Sequence, residues 1–520
     1  KKFATPFRIA GIQKYRFVSS SSSYTEKTPI TISLWEKRKQ HKEQVDKRRS
    51  KLGIGVNPDV SEFITAPKKP SESRVDVRYD FGGTPELRDL YIDSFGHVLM
   101  GKLLEDLDAL AGNVAFFHCD NGDSGTHNIS LVTAGVEQIK FERQGVPLDN
   151  DIIVTGQVVY KGTSSLDVLI EAHVAASNDN NDAYKVKLLD PSEVSSKLLS
   201  SVFTYVARNK LTGKAGKVVD LDMSDATPVE QEFFHQREQE AIRRKKVRRG
   251  ENVGTTMKML NQELRWAMLE RGKSMLDMPA IHNHNNFVLQ QTTALENCFI
   301  CEPQKSNTVG RVFGGFLINK AYMLAQANAY LFSGRQGVLT LVDKITFRRP
   351  VEISDLIRLR SRVVYASNET PHRRMVVQVT CDVVHPEKGE SYQSNKFMFV
   401  FTSTSPSICH TTTGDATSKL ADVRSDGGAD IDASSATNSY TRTTHSKCVN
   451  NSAMPRNPGN DDDNDNTYAH VLPVQSIVNK LVVPLNRLEA EYLYHGACNI
   501  LGLDPSVVEA QYASKIKNND

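Results

Sequence analysis

An apolar stripe at helical spacing marks the stretch from 307 to 332. Five apolar residues recur three and four positions apart and share one helical face: Leu317, Ile318, Ala321, Leu324 and Ala325. The pattern predicts an amphipathic α-helix that packs against a sheet. Two glycines, Gly314 and Gly315, stand at its start, where free N–H groups carry the positive end of the helix dipole. Such a helix start is suited to hold a negative charge.

A second stretch, from 100 to 114, carries the same stripe. At an offset of 214 positions its apolar residues match those of the first stripe: Leu103, Leu104, Leu107, Leu110 and Ala111. The segments that follow also correspond, since IKF matches ITF at an offset of 206 and two VVY segments match at 205. The chain is therefore predicted to contain two copies of one folded unit.

Runs typical of β-strands follow each predicted helix. In the first copy these are ISLVTAGVEQIKF, DIIVTGQVVY, LDVLIEAHVAA and LLSSVFTYVAR, and in the second they are GVLTLVDKITF, LIRLRSRVVY, MVVQVTCDVV and KFMFVFTS. One helix followed by four strands predicts an antiparallel sheet wrapped around that helix. The predicted class is α+β, with one unit at 84–210 and the other at 286–403.

The remaining segments are predicted to serve as extensions and connections. Residues 26–83 are expected to form a peripheral lead-in, and 211–285 a helical basic linker that is either a solvated helix or a basic patch for an anionic ligand. Residues 404–467 are rich in Ser, Thr, Asn, Asp and Gly and are expected to be disordered. Residues 468–520 recover amphipathic character and are expected to form a helical segment that docks on the rest.

The charge of the chain is concentrated at its beginning. The 520 residues carry a formal charge of +3, but residues 1–51 hold 14 Lys/Arg and 4 Asp/Glu, which is +10 and leaves 3 − 10 = −7 elsewhere. A mildly acidic body argues against a nucleic-acid partner. No apolar run reaches the length of about 18 residues that a transmembrane helix needs.

The first 25 residues are basic and rich in serine, and no acidic residue precedes Glu26. This composition is typical of a mitochondrial transit peptide, with a basic tail as the alternative. The seven cysteines form no disulfide framework and indicate a reducing compartment, which agrees with the mitochondrial matrix. We expect no metal site at Cys298 and Cys301, because no second pair or nearby histidine completes one.

The two copies differ at positions where a ligand is expected. Asp108 lies at one rim of the first stripe, and its equivalent in the second copy is Tyr322. Asn307 precedes the second helix, and its equivalent is Asp93. One copy thus offers an acid and the other an amide.

Helical periodicity alone does not select Asp108. Asp106 flanks the other rim of the stripe and Glu105 is expected to face away from it. A helical carboxylate can also simply lie on a solvated face. The motif Gly-Asp-Ser-Gly at 122–125 resembles a protease nucleophile motif, but we expect it to be a loop, because His118 stands too close before Ser124 to act as the base.

Several segments together resemble a known enzyme family. SNTVGRVFGGFL in the second copy, LLEDLDALAG in the first, TPELRDLY and FRRPVE make most of residues 84–403 similar to the double-hotdog acyl-coenzyme A thioesterases, in particular their mitochondrial thioesterase 9 branch. The resemblance implies a tandem hotdog fold and hydrolysis of acyl-CoA to fatty acid and coenzyme A. It implies no cofactor, since coenzyme A is part of the substrate, and association into a homo-oligomer.

The resemblance also implies roles for individual residues. Asp108 matches the acid position of the family and would act as general base or nucleophile, and Asn307 matches its amide position. The N–H near Gly315 would stabilise the oxyanion. The reciprocal pair, Asp93 and Tyr322, departs from the family pattern, which implies one site per chain.

Basic residues are expected to bind the coenzyme A phosphates. The candidates are Arg143, Lys344, Arg348 and Arg349. Two other functions stay open at this stage. The first is a hotdog dehydratase of hydroxyacyl thioesters, which needs a histidine such as His97, and the second is a catalytically silent acyl-CoA sensor or scaffold.

Overall fold

The structure is a computed structural model, and it describes residues 27–52, 66–120, 129–143, 148, 150–175, 196–209, 212–248, 262–279, 287–307, 310–367, 372–404 and 481–517. The predicted transit-like segment 1–25, the low-complexity segment from 405 to 467 and the motif at 122–125 lie outside the described residues. No described helix is long and apolar enough to cross a membrane.

Each half of the chain contains one 20-residue helix and a set of antiparallel strands. Helix α1 (Pro29–Leu52) comes first, and the first half follows as β1 (Val75–Tyr79), α2 (Pro85–Tyr91), α3 (Met100–Cys119), β2 (Ile129–Val136), β3 (Ile139–Phe141), β4 (Ile152–Lys161), β5 (Ser165–Val174) and β6 (Lys197–Asn209). Helices α4 (Pro228–Arg248) and α5 (Gln262–Asp277) then precede the second half.

The second half repeats this order and ends in a small helical cluster. Its elements are β7 (Phe287–Leu289), β8 (Leu295–Ile300), α6 (Gly314–Ser333), β9 (Val338–Val342), β10 (Ile345–Thr346), β11 (Leu356–Ala366), β12 (His372–His385) and β13 (Glu390–Thr404). The cluster comprises β14 (Leu481–Val483), α7 (Arg487–Tyr494), a π-helical turn (His495–Ile500) and α8 (Pro505–Lys517).

The two halves join through equivalent strands into one sheet. Strand β3 pairs with β9 where Ile139 faces Val342, and β10 pairs with β2 where Ile345 faces Val136. The two contacts are equivalent under exchange of the halves, because Ile345 is the counterpart of Ile139 and Val342 that of Val136, each 206 residues later. The joint therefore has the reciprocal character of a two-fold interface. The described sheet runs from β1 at one end to β8 at the other.

Helices α3 and α6 meet along the same approximate two-fold relation inside the sheet. Asn319 Nδ2 donates to Glu105 Oε2 at 3.0 Å, and these residues are again 214 positions apart. A Cβ added to Gly101 would meet Asn319 Oδ1, and one added to Gly315 would lie 2.9 Å from the Glu105 carbonyl oxygen. The helices can cross this closely because glycine occupies both contact points. The predicted α+β tandem hotdog fold is confirmed.

The segment predicted as a linker covers the outer faces of the sheet. Phe234 and Ala241 of α4 are buried, and Phe234 packs in an apolar cluster with Val159 and Leu169. The described part of α4 is otherwise mostly exposed, as expected for a solvated helix, but it also packs on the outer face of the first half along this narrow apolar stripe. Helix α5, with α7 and α8, covers the second half in the same way, where Val364 and Val376 are buried against it.

The close contact of α5 with the chain near Pro484 gives a stability prediction. Alanine normally stabilises a helix relative to glycine by about 1 kcal/mol, but a Cβ on Gly272 would lie 2.4 Å from the Pro484 carbonyl oxygen. We expect Gly272→Ala to lower the free energy of unfolding by about 1–3 kcal/mol, as overpacking does. Denaturant unfolding followed by circular dichroism measures this change.

Gly496→Ala is the matched control, because a Cβ there would make only ordinary contacts of 3.4 Å with Val364 and Val376. Equal stability of the two variants would contradict the close packing of α5.

Candidate functional site

A cavity of about 310 Å³ opens where the two halves meet. Asp108 and Ala109 of α3 line it together with Thr133 of β2 and Tyr205 of β6. The second half contributes the start of α6 and the segment between β10 and β11. The residues supplied by that half are Asn307, Arg311, Val312, Phe313, Gly314, Leu317, Phe347, Arg348, Arg349, Pro350, Val351 and Asn395.

Asp108 is 1 % exposed, and three donors hold its carboxylate. Oδ1 accepts from Thr133 Oγ1 at 2.9 Å and from the Tyr205 hydroxyl at 3.1 Å, while Oδ2 accepts from the Gly315 backbone N–H at 2.7 Å. Thr133 and Tyr205 are direct partners across β2 and β6, and the pairing shifts register just after Thr133. A β-bulge of this kind commonly re-aims side chains near a site. The sheet and the second half thus fix the carboxylate together.

Burial raises the pKa of Asp108 above its ordinary value, because it removes water from the charged form. The hydrogen bonds from Thr133, Tyr205 and Gly315 and the charge of Arg38 oppose this by stabilising the carboxylate. The pKa is still raised on balance, so Asp108 is a stronger base than a solvent-exposed carboxylate would be.

A tight turn delivers Asn307 to the same cavity. The backbone N–H of Asn307 donates to the Arg311 carbonyl at 2.6 Å, its Oδ1 accepts from the Arg311 N–H at 3.1 Å, and Gly310 in the turn has a φ of 86°. The same turn occurs in the first half, where Asp93 caps it and Gly96 has a φ of 84°. A left-handed φ favours glycine in both turns. The structure therefore places Asp108 and Asn307, from different halves, on one cavity.

The Gly315 N–H points to Asp108 in this structure. The family resemblance implies that this N–H binds an oxyanion, whereas here it donates to the Asp108 carboxylate. Its neighbour Gly314 lines the cavity, and a Cβ on Gly314 would lie 3.0 Å from Asp108 Oδ2 and 3.3 Å from the Phe347 ring. Glycine at 314 therefore keeps the helix start open to the carboxylate.

At the start of α3, the position that corresponds to the Asp108 site at the start of α6 is filled by an aromatic ring. Tyr322 is 3 % exposed, packs against Phe399 and Phe401, and would contact a Cβ on Gly101 at 3.1 Å. Gly101 is the counterpart of Gly315, so the Tyr322 ring lies against the start of α3 where a carboxylate lies against the start of α6. Burial raises the pKa of Tyr322 well above that of a free phenol. The start of α3 therefore has a neutral phenol beside it, where the start of α6 has the Asp108 carboxylate.

The four candidate basic residues divide into two pairs. Arg348 and Arg349 line the cavity. Arg143 and Lys344 are exposed and do not line it, and Lys344 pairs with Glu137 at 3.4 Å and Glu240 at 3.9 Å. The prediction for these two residues is not supported by their position, and Lys344 instead contacts Glu240 of α4.

Two further arginines, which were not among the candidates from the sequence, also line the cavity. Arg208 at the end of β6 and Arg311 in the turn both lie on it, and Arg311 pairs with Glu352 at 3.1 Å. No spacing signal distinguishes them from other surface arginines.

Helix α1, predicted to be peripheral, forms part of the cavity wall. Trp35 and Arg38 line the cavity, while Ile30 and Leu34 are buried against α3. Arg38 Nη2 donates to the Gly112 carbonyl at 2.8 Å, and burial lowers its pKa to about 10. The prediction of a peripheral lead-in was wrong for α1. The helix is highly charged overall, but a few positions in its first three turns are buried.

The other two carboxylates of the LLEDLD segment are buried and serve packing. Asp106 accepts hydrogen bonds from the hydroxyls of Thr28, Thr31, Tyr79 and Tyr91, which come from the chain around the start of α1, from β1 and from α2. Glu105 lies on the face of α3 away from the apolar stripe, yet it is only 3 % exposed, because α6 packs against that face. Its burial raises its pKa to about 7.

The dehydratase candidate His97 does not line the cavity, and neither does the pair Cys298 and Cys301. The His97 side chain is 49 % exposed and lies 3.9 Å from Asp93, in the turn before α3. Cys298 is exposed whereas Cys301 is buried, so the two thiols occupy different environments.

The raised pKa of Glu105 predicts a pH-dependent stability. A carboxyl group whose pKa rises from 4.5 to about 7 on folding stabilises the fold in its protonated form. That contribution is complete below pH 4.5 and is lost as the pH rises through 7. We expect wild type to lose up to about 3 kcal/mol of unfolding free energy relative to Glu105→Gln over this range. Urea unfolding at several pH values measures the difference.

Glu86→Gln, at an exposed position in α2, is the control and should keep the pH dependence of wild type. The same slope for wild type and Glu105→Gln would contradict the raised pKa.

Comparisons with known proteins place the chain. No protein-family model matches it. It is 34% identical to acyl-coenzyme A thioesterase 2, chloroplastic, of Humulus lupulus over 72% of this chain and 81% of that protein. It is 30% identical to the mitochondrial acyl-coenzyme A thioesterase 9 of Mus musculus over 66% of this chain and 74% of that protein.

Among solved structures, the chain is similar to the 12:0-ACP thioesterase from Umbellularia californica, with a TM-score of 0.37 and 8% identity over 63% of this chain and 94% of that one. The chain belongs to the acyl-coenzyme A thioesterase family.

Proposed function

We propose that this protein hydrolyses acyl-CoA thioesters to free fatty acid and coenzyme A at one composite site between its two halves. The observation that carries the proposal is the buried Asp108 carboxylate, which faces a cavity shared with Asn307 of the other half. The names of the related proteins agree with this reaction. A mitochondrial location is supported by the mouse relative and by the transit-like composition of residues 1–25.

Asp108 is proposed as the general base. It takes a proton from a water molecule while the water oxygen attacks the thioester carbon, and the carbon–sulfur bond then breaks to release the coenzyme A thiolate. All three hydrogen bonds to Asp108 favour its ionised form, which is the form that accepts a proton. Asn307 carries both a donor and an acceptor and would orient the water or the thioester carbonyl.

The start of α6 is proposed to stabilise the oxyanion. The first N–H groups of a helix have no partner within it; at the start of α6, Gly314 lines the cavity and the Gly315 N–H donates to Asp108 on the cavity wall. Once Asp108 has taken a proton, it accepts the Gly315 N–H less strongly. That donor is then more available to the thioester oxygen.

The proposal of one site per chain is supported by Tyr322, whose ring occupies the place equivalent to Asp108. We further infer that the two halves arose by duplication of one unit, which the paired offsets at both the sheet joint and the helix contact support. Association into a homo-oligomer is proposed as well, since the described sheet ends at β1 and β8, each of which leaves one edge open.

The dehydratase alternative is less well supported. It requires a histidine, but the residues that line the cavity include none, and His97 lies in the turn that precedes α3. A silent acyl-CoA sensor would keep the binding cavity but not hydrolysis. Product analysis separates all three functions, because only the hydrolase releases free thiol.

Replacing the base should abolish most of the activity. We expect Asp108→Asn to lower kcat by roughly 10² to 10⁴, which is the usual contribution of a general base. Release of coenzyme A thiol from acyl-CoA, followed with a thiol reagent, measures the rate. The matched control is Asp93→Asn, which gives the first turn the residue of the second and keeps its capping oxygen. A variant at position 108 with activity within a few-fold of wild type, in folded protein, would remove the assignment.

The acid limb of the pH profile should report on Asp108. Its ionised form is required, so kcat/KM should fall as the pH drops through its raised pKa. Thr133→Val removes a hydrogen bond that lowers this pKa, and the acid limb should therefore move to higher pH.

Thr155→Val removes a similar bond, to Asp76 at 2.8 Å outside the cavity, and should leave the limb in place. An unmoved limb in Thr133→Val would show that another group controls it.

A further inference from the structure

Helix α1 is fixed over the cavity by three successive anchors. Near its start, the hydroxyls of Thr28 and Thr31 donate to the buried Asp106 carboxylate. One turn later the Leu34 carbonyl accepts from Asn113 Nδ2 at 2.6 Å, and after a further turn Arg38 donates to the Gly112 carbonyl at 2.8 Å. Asp106, Gly112 and Asn113 all belong to α3, the helix that carries Asp108. The position of α1 is thus set by the same helix as the proposed base.

Trp35 lies between the last two anchors and lines the cavity. Its ring meets the Phe313 ring edge-on, with 5.3 Å between centroids and an angle of 79° between planes. Lys27 Nζ covers the ring at 4.5 Å from its centroid. Phe313 directly precedes the glycine pair of α6. The indole is therefore held in place beside the helix start that binds Asp108.

Trp35 differs from the other apolar residues of the cavity in where it comes from. Phe313 and Leu317 belong to the second half and pack in its core, and Ala109 belongs to α3. Trp35 is supplied by a helix outside both hotdog units and is only partly buried. It is also the largest apolar side chain on the cavity wall. A change at this position alters the size of the cavity without removing a core residue of either unit.

We propose that Trp35 is a specificity-determining residue, whose indole forms the wall that limits the acyl group of the thioester. This inference rests on the proposed hydrolysis at the Asp108 cavity. An acyl chain needs apolar contact area, and each methylene that gains or loses such contact changes kcat/KM by about 10- to 200-fold. Loss of the indole should therefore admit longer acyl chains.

The kinetic test compares Trp35→Ala with wild type over straight-chain acyl-CoA substrates of increasing length. We expect the ratio of kcat/KM for chains longer than the wild-type optimum to that for the optimum to rise at least about tenfold. Trp266→Ala is the matched control, because Trp266 is 54% exposed on α5 and should leave the profile unchanged. Parallel profiles of wild type and Trp35→Ala would overturn the inference, whereas hydrolysis of no acyl-CoA by wild type would overturn the proposed function.

A binding test does not depend on turnover. The chain contains two tryptophans, so Trp266→Phe leaves Trp35 as the single indole fluorophore. In this background with Asp108→Asn, we expect the emission of Trp35 to change with acyl-CoA and to depend on acyl length, and to change less with coenzyme A alone.

Trp35→Phe, which retains Trp266, should show no such change. Emission that does not respond to any acyl length, while calorimetry shows binding, would refute the contact. Because this experiment does not use Trp35→Ala, it tests the contact between Trp35 and the acyl group even if that variant fails to fold.

Discussion

The hydrogen bond from the Gly315 N–H to Asp108 Oδ2, 2.7 Å long, joins the two halves of the chain at the cavity. A carboxylate that is 1 % exposed is costly to keep ionised, and it needs donors from its surroundings. Thr133 and Tyr205 supply two from the sheet of the first half, and the third comes from the helix start of the second half. The set of three donors around the proposed base is therefore complete only when the two units pack on each other.

The two halves share a two-fold packing but differ at the positions around the cavity. Both helices cross at glycines, and both are preceded by the same turn, with Gly96 and Gly310 in left-handed conformations. This shared backbone would allow two equivalent sites. The buried ring of Tyr322 occupies one of them, so that a carboxylate has to be accommodated at the other only.

The helices outside the two units pack on them in two different places. Helix α4 packs on an apolar part of the outer sheet face of the first half. The cluster of α5, α7 and α8 packs on the corresponding face of the second half. Helix α1 instead covers α3 and places Trp35 and Arg38 on the cavity. Because α1 is anchored on the helix of Asp108, its position and that of the proposed base are coupled.

Periodicity and the match between the two copies predict the two long helices, their 214-residue offset and the strand segments that follow them, whereas Asp108 and Asn307 are singled out only by the resemblance to the thioesterase family. Tertiary structure alone decided that Thr133, Tyr205 and Trp35 reach the cavity and that Lys344 does not. The physical reason is that a sequence pattern shows which face of an element is apolar, whereas the partner of that face is chosen by packing between segments far apart in the chain.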